Sequence, residues 1–213
     1  MRLPIICASL LLMASCESAY YDTMEQFGVH KREILVDRIE DAQVAQEDGQ
    51  EQFKNALEQF KAVVNFDGGD LETVYNRLDA KYEDSVDAAD TIRDRITAVE
   101  SVADALFGEW ETELNQYSSV ALRRDSERQL NQTRRRYDRL MTAMRSAEDT
   151  IDPVLDSLKD NVLYLKHNLN ARAIASLKGE LSTVNDDVEN LINAMQRAIN
   201  ESNAFIEQMR EGS

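Results

Sequence analysis

The sequence predicts an all-α fold: a long antiparallel four-helix bundle, packed like a coiled coil and running up-down-up-down. Three observations predict it. Apolar residues recur at heptad spacing through most of the chain. Helix breakers are scarce, with 7 Gly and 2 Pro among 213 residues. The clearest turn signal, the pair Gly68-Gly69, falls between two heptad runs. Alternating steps of four and three keep one stripe of a helix facing its neighbours, which is the condition for left-handed helix packing.

The first run carries Leu35, Ile39, Ala42, Gln46, Gly49, Phe53, Ala56, Phe60 and Val63. The second extends from Tyr75 through Leu78, Ser85, Ala89, Ile92, Ile96, Val99 and Ala103 to Trp110. The third includes Leu130, Thr133, Tyr137, Leu140, Met144, Ala147, Ile151, Val154, Leu158 and Leu165. The fourth has Ile174, Leu177, Leu181, Val184, Val188, Leu191, Met195, Ala198, Phe205 and Met209. Segments of roughly 40 to 48 residues at about 1.5 Å rise would each be about 60 to 70 Å long. Long helices joined by short turns must run antiparallel to their neighbours. A hairpin that dimerises would satisfy the same pattern, so monomer and homodimer both remain open.

Three breaks separate the runs. Asn65 to Asp70 contains Gly68 and Gly69, with Asp70 as an N-cap. Gln116 to Ser119 offers a serine cap. His167 to Asn170 offers asparagines suited both to a helix end and to a cap. Pro153 follows Asp152 and could open a helix, but the heptad register passes through it without a slip. A kinked continuous helix is therefore expected there.

The first residues read as a processing signal. Arg2 precedes a short apolar run, Leu3 to Met13, too short to span a bilayer. The run ends in Met13-Ala14-Ser15-Cys16, which resembles the bacterial lipobox, with Met where Leu is usual. That motif implies cleavage before Cys16 and lipidation of its thiol, with palmitate among the acyl chains. Several acyl chains on one residue give stable anchoring where one would not. The expected organisation is a signal peptide over 1–15, a short linker over 16–21 and one elongated helical domain over 22–211. Glu17 after the cysteine resembles the outer-membrane sorting rule of Gram-negative lipoproteins. The expected location is the cell envelope, at the inner leaflet of the outer membrane and facing the periplasm.

The net charge is -16. A chain that acidic is repelled by nucleic acid and by anionic lipid, so neither is expected as a bulk partner. Cys7 and Cys16 are the only cysteines and His30 and His167 the only histidines. The paired Glu-x-x-His motifs of di-iron bundles are absent, because Phe27 and Tyr164 precede the histidines by three residues. No Gly-x-Ser-x-Gly elbow and no phosphate-binding glycine loop accompanies them. No catalytic residue, metal or cofactor is therefore expected, and the chain reads as a non-enzyme.

Two features stand out as candidate sites. Eight arginines between Arg123 and Arg145 face only three acids, Asp125, Glu127 and Asp138. Arg124, Arg128, Arg135 and Arg139 are candidate anion-binding residues, since guanidinium forks bind phosphate and carboxylate bidentately. Lipopolysaccharide phosphates, an anionic glycan or an acidic partner helix would all fit. Alternatively these arginines pair with acids such as Glu109, Glu111, Glu180, Asp186 and Asp187, setting register and adding little stability. The second feature is Lys166-His167-Asn168-Leu169-Asn170, either a plain interhelical turn or a docking tip for an envelope protein. A third region, Gln43 to Gln52, interrupts the first apolar seam. It is either a polar core layer that fixes register or a hinge.

The string Tyr164 to Ile174, with Arg134-Arg135-Arg136-Tyr137 and the lipobox, resembles a family of Gram-negative lipoproteins, the domain of unknown function DUF2959. The resemblance covers nearly the whole mature chain. It implies a helical envelope protein and carries no functional residue over. The function expected is a lipid-anchored scaffold, spacer or adaptor, with the anion-binding module as the alternative.

Overall fold

The computed structural model describes residues 31–211, and the described chain is helical almost throughout. The signal peptide, Cys16 and the linker expected from the sequence lie outside these residues. Five helices follow one another: α1 Lys31–Val64, α2 Leu71–Leu114, α3 Val120–Glu148, α4 Ile151–His167 and α5 Ala171–Glu211. At 1.5 Å per residue, the 44-residue α2 is about 66 Å long.

The turns sit where the sequence placed them, and each has a cap that explains it. Gly68 and Gly69 take φ of 149° and 111°, a region closed to most residues, and so reverse the chain after α1. Asp70 then accepts the Glu72 N–H at 3.1 Å and the Thr73 hydroxyl at 2.5 Å. Those hydrogen bonds, led by that of Thr73, hold the Asp70 carboxyl below its usual pKa. Ser119 accepts the Leu122 N–H and opens α3. Asn170 accepts the N–H groups of Arg172 and Ala173 at 3.0 and 3.1 Å and opens α5.

The third heptad run is not the continuous helix expected. It divides at Asp149-Thr150 into α3 and α4. Pro153 has no N–H, and its ring crowds the carbonyl four residues back, that of Asp149. Asp149 and Thr150 nonetheless keep right-handed helical angles, φ -59° and -88°. The two helices therefore continue in much the same direction, and each packs against both α2 and α5.

Cross-links between helices give their relative sense. Lys31 at the start of α1 pairs with Glu109 near the end of α2, at 3.0 Å. Arg145 of α3 grips Glu100, and Asp152 of α4 grips Arg93 further back along α2. Arg210 at the end of α5 reaches Glu40 of α1 at 2.5 Å. Neighbours thus run antiparallel. The start of α1, the α2–α3 turn and the end of α5 share one end, called proximal below. The α1–α2 and α4–α5 turns share the distal end.

The core is the heptad seam made solid. Leu35, Phe53, Phe60, Leu78, Ile96, Leu140, Leu158, Leu165, Val188 and Leu191 are fully buried. A second stripe beside it is buried too, including Ile34, Leu57, Ile199 and Ile206. That width is what a globular bundle needs and exceeds a coiled-coil seam. Gly49 marks a close approach of α1 to α2: a Cβ there would lie 2.7 Å from Ile92 Cδ1. Three of the polar-region residues, Gln46, Gly49 and Gln50, point inward, while Glu47 and Asp48 face solvent. Among the described residues no helix is long and apolar enough to cross a membrane.

Candidate functional site

The arginine-rich face is built by α3. Successive residues on a helix turn by about 100°, so spacings of 4, 7 and 4 place Arg124, Arg128, Arg135 and Arg139 on one stripe about 22 Å long. All four are exposed. Arg128 pairs with Asp125, which also accepts from Gln129. Arg139 donates to the Arg135 carbonyl at 3.2 Å. Arg124 and Arg135 make no ion pair among the described residues. The stripe therefore presents guanidinium groups that are only partly engaged.

The other arginines of the run do a different job. Arg134 is half-buried, stands over the Phe107 ring at 5.1 Å and pairs with Glu111 at 2.5 Å. Phe107 in turn meets Tyr137 edge-on, with ring centroids 5.4 Å apart. Arg145 holds Glu100 with two nitrogens and reaches Glu148 at 2.5 Å. Of the acids expected to pair with the run, Glu111 does so, whereas Glu109 goes to Lys31. Glu100 was not foreseen, because nothing in one heptad run reveals which level of another lies opposite.

Burial pushes the Tyr137 phenol pKa well above its ordinary value of 10.0, and Glu100, Asp104 and Asp138 reinforce it, against Arg145. Folding therefore favours the neutral phenol. Its contribution is fully present below pH 10 and is lost as pH rises beyond the unfolded value toward the folded one. Alkaline denaturation monitored by circular dichroism should start at higher pH in Tyr137→Phe than in the parent. Identical midpoints would show that Tyr137 does not control that limb.

Beside the stripe, Arg139, Thr142 and Ser146 of α3 face Arg197, Asn200 and Glu201 of α5 across an open groove of about 580 Å³. Arg197 adds a second cation opposite Arg139. Sequence reasoning missed it, because a lone arginine on a polar helix face carries no signal of its own. A smaller cavity of about 350 Å³ lies near the proximal end, with Trp110, Gln132, Arg136 and Gln208 among its lining. The Trp110 indole N–H donates to Ser126 at 2.8 Å.

The proposed docking tip sits at the distal end. Lys166, His167 and Leu169 are exposed. Asn168 closes α4, its amide donating to the Tyr164 carbonyl at 2.9 Å, and Asn170 caps α5. The two asparagines are thus tied to the turn, and the free surface combines the exposed Lys166 and His167 with the apolar Leu163, Tyr164 and Leu169. At the proximal end Phe107 is core, Trp110 and Leu114 are half-buried, and Tyr117 is exposed. Among the described residues no group of three or more His, Cys, Asp or Glu could hold a metal.

The class these features define is an elongated all-α bundle with one continuous core. The chain belongs to DUF2959, a family of proteins of unknown function, whose model matches residues 20–209. No curated protein matches it.

Proposed function

We propose that this protein is a non-enzymatic, lipid-anchored helical adaptor or spacer of the bacterial cell envelope. It is held at Cys16 in the inner leaflet of the outer membrane and faces the periplasm. The observation that supports this reading most is one core running the length of the bundle, from Phe107 and Leu130 near the proximal end to Leu165 and Val63 near the distal end. Such a rod sets a distance between its ends, which is what a spacer or adaptor requires. The lipobox supplies the anchor at one end, and the exposed apolar tip supplies a contact surface at the other.

Two measurements test it. Labelled palmitate should enter the wild-type protein and not Cys16→Ser; equal labelling, or none in either, would remove the anchor. Photo-crosslinking in cells from Leu169 should capture a defined envelope protein, and capture of nothing would leave the adaptor role without a partner.

A second reading is favoured by one observation, the partly engaged guanidinium stripe. In it, Arg124, Arg128, Arg135 and Arg139 bind anionic envelope material such as lipopolysaccharide phosphates. Salt-sensitive retention on immobilised lipopolysaccharide should fall by about tenfold or more in Arg128→Glu with Arg135→Glu, since each phosphate contact contributes a charge-assisted hydrogen bond. Unchanged retention would sink this reading. These side chains are exposed, so the double variant should keep the parent stability to within about 0.5 kcal/mol.

A further inference from the structure

Apart from Val44, the large apolar side chains exposed on the described surface gather at the two ends of the bundle. Leu163, Tyr164 and Leu169 are distal; Tyr117, Val120 and Leu122 are proximal. Val120 and Leu122 are the most exposed of all, at 64% and 60%. Among the described residues they stand on the element that projects furthest at that end. Phe107 is the last buried residue of α2 and Leu130 the first of α3, so nothing from 108 to 129 is buried. Met209 and Arg32 line a cavity with Trp110 and Gln129, so α1 and α5 reach this level near their proximal limits. Beyond it, among the described residues, the α2–α3 hairpin stands as a two-helix projection.

We propose that this hairpin is a membrane-contacting foot. Val120 and Leu122 enter the boundary between headgroups and acyl chains of a phospholipid surface, Tyr117 sits at headgroup level, and Arg123 and Arg124 meet lipid phosphates. The inference rests on the lipid-anchor reading above and adds a second, weaker contact beside the anchor. The course of the chain favours a bilayer as occupant. Lys31 lies at this same end, and Cys16 is fifteen positions before it. At 3.3–3.6 Å per residue that stretch spans at most about 54 Å, so an acylated Cys16 keeps the hairpin within reach of the bilayer at high effective concentration.

The chemistry agrees. Aliphatic residues flanked by tyrosine and arginine are the combination that suits an interface, where long cationic stems lie along apolar material and their heads meet phosphate. Glu113, Asp125 and Glu127 oppose the approach to an anionic surface. Asp125 is already engaged by Arg128, while Arg123 and Arg124 make no ion pair among the described residues. The distal cluster has comparable apolar content but stands a bundle length away from the anchor end. It therefore serves as the internal comparison.

The test places an environment-sensitive fluorophore on Leu122→Cys or Leu169→Cys in the lipidated protein, whose own Cys16 thiol is blocked by acylation. The protein is incorporated into vesicles of phosphatidylethanolamine and phosphatidylglycerol. Flotation reports the anchor, and quenching by nitroxide lipids reports the foot. The expected result is flotation with strong quenching at 122 and little at 169. Flotation with equal quenching, or none, at the two positions overturns the foot and leaves the anchor standing.

If the protein neither carries lipid nor floats, the anchor reading fails, and the chain from residue 17 onward is titrated with the same vesicles. Bilayer entry by the probe at 122 then sustains the foot, and a fully aqueous probe overturns it. Val120→Glu with Leu122→Glu should weaken partition of that unlipidated chain on the order of a hundredfold, from the apolar area withdrawn. Unaltered partition of that variant would also overturn the proposal.

Discussion

Replacing Phe53 with alanine is expected to destabilise the protein by about 3–5 kcal/mol, the range found when a fully buried phenyl group is deleted. Phe53 is 0% exposed in the middle third of α1, four residues after the close approach at Gly49. The helices around it are held apart above and below by large buried side chains, Ile39 and Phe60 of α1 among them. They are therefore poorly placed to collapse into the void, so a cavity penalty adds to the lost transfer energy. For a domain of ordinary stability, about 5–15 kcal/mol, this removes from about a fifth of the total upward. The melting temperature should drop by on the order of 10 °C. Val44→Ala, at a position 54% exposed on the same helix, is the control and should change stability by less than about 0.5 kcal/mol. Urea titration of both variants checks this. Equal midpoints would mean that the α1 seam does not face the core.

Gln46→Leu should act in the opposite direction and stabilise the protein by about 1–2 kcal/mol. Gln46 is 0% exposed, and neither its amide nitrogen nor its oxygen has a hydrogen-bond partner; the amide nitrogen of Gln50, one turn later, also has none. An amide buried without a partner costs about 1–3 kcal/mol, and leucine of similar volume removes that cost. The buried polar layer is thus retained against stability. A plausible physical reason for such layers is register, since a polar residue in a seam disfavours alternative pairings. Urea titration again decides. Destabilisation by Gln46→Leu would show that the amide is satisfied, for instance by an internal water.

Much of the fold could be read from the chain because the heptad rule acts locally and repeatedly. Leu35 to Val63, Leu78 to Ala103 and Val184 to Met209 obey it with few exceptions, and their turns carry glycine, serine or asparagine at the positions that need them. The second buried stripe, with Leu57 and Ile206, was not anticipated, because counting by steps of four and three finds only the narrower seam. The division at Asp149-Thr150 was missed for another reason: Pro153 acts on a carbonyl four residues upstream, and the register hides the break.

The candidate sites were readable in part. Arg128, Arg135 and Arg139 face solvent, where candidate anion-binding residues must lie, and Arg134 and Arg136 flank the core. The partners of Arg145 and the place of Arg197 opposite Arg139 depend on how two distant segments align in height, which no local pattern encodes. Val120 and Leu122 escaped notice because they lie off the seam, where an apolar residue is usually unremarkable.

The measurement that bears most directly on a rigid rod with separate proximal and distal contacts is the distance between its ends. Spin labels at Leu122→Cys and Leu169→Cys, in the chain from residue 17 onward, report it by pulsed dipolar spectroscopy. With α3 and α4 in line, 47 residues at 1.5 Å predict a narrow distribution near 70 Å. A distribution centred below about 40 Å would mean that the helices fold back at Asp149-Thr150 and that the rod, with the functions built on its length, does not exist.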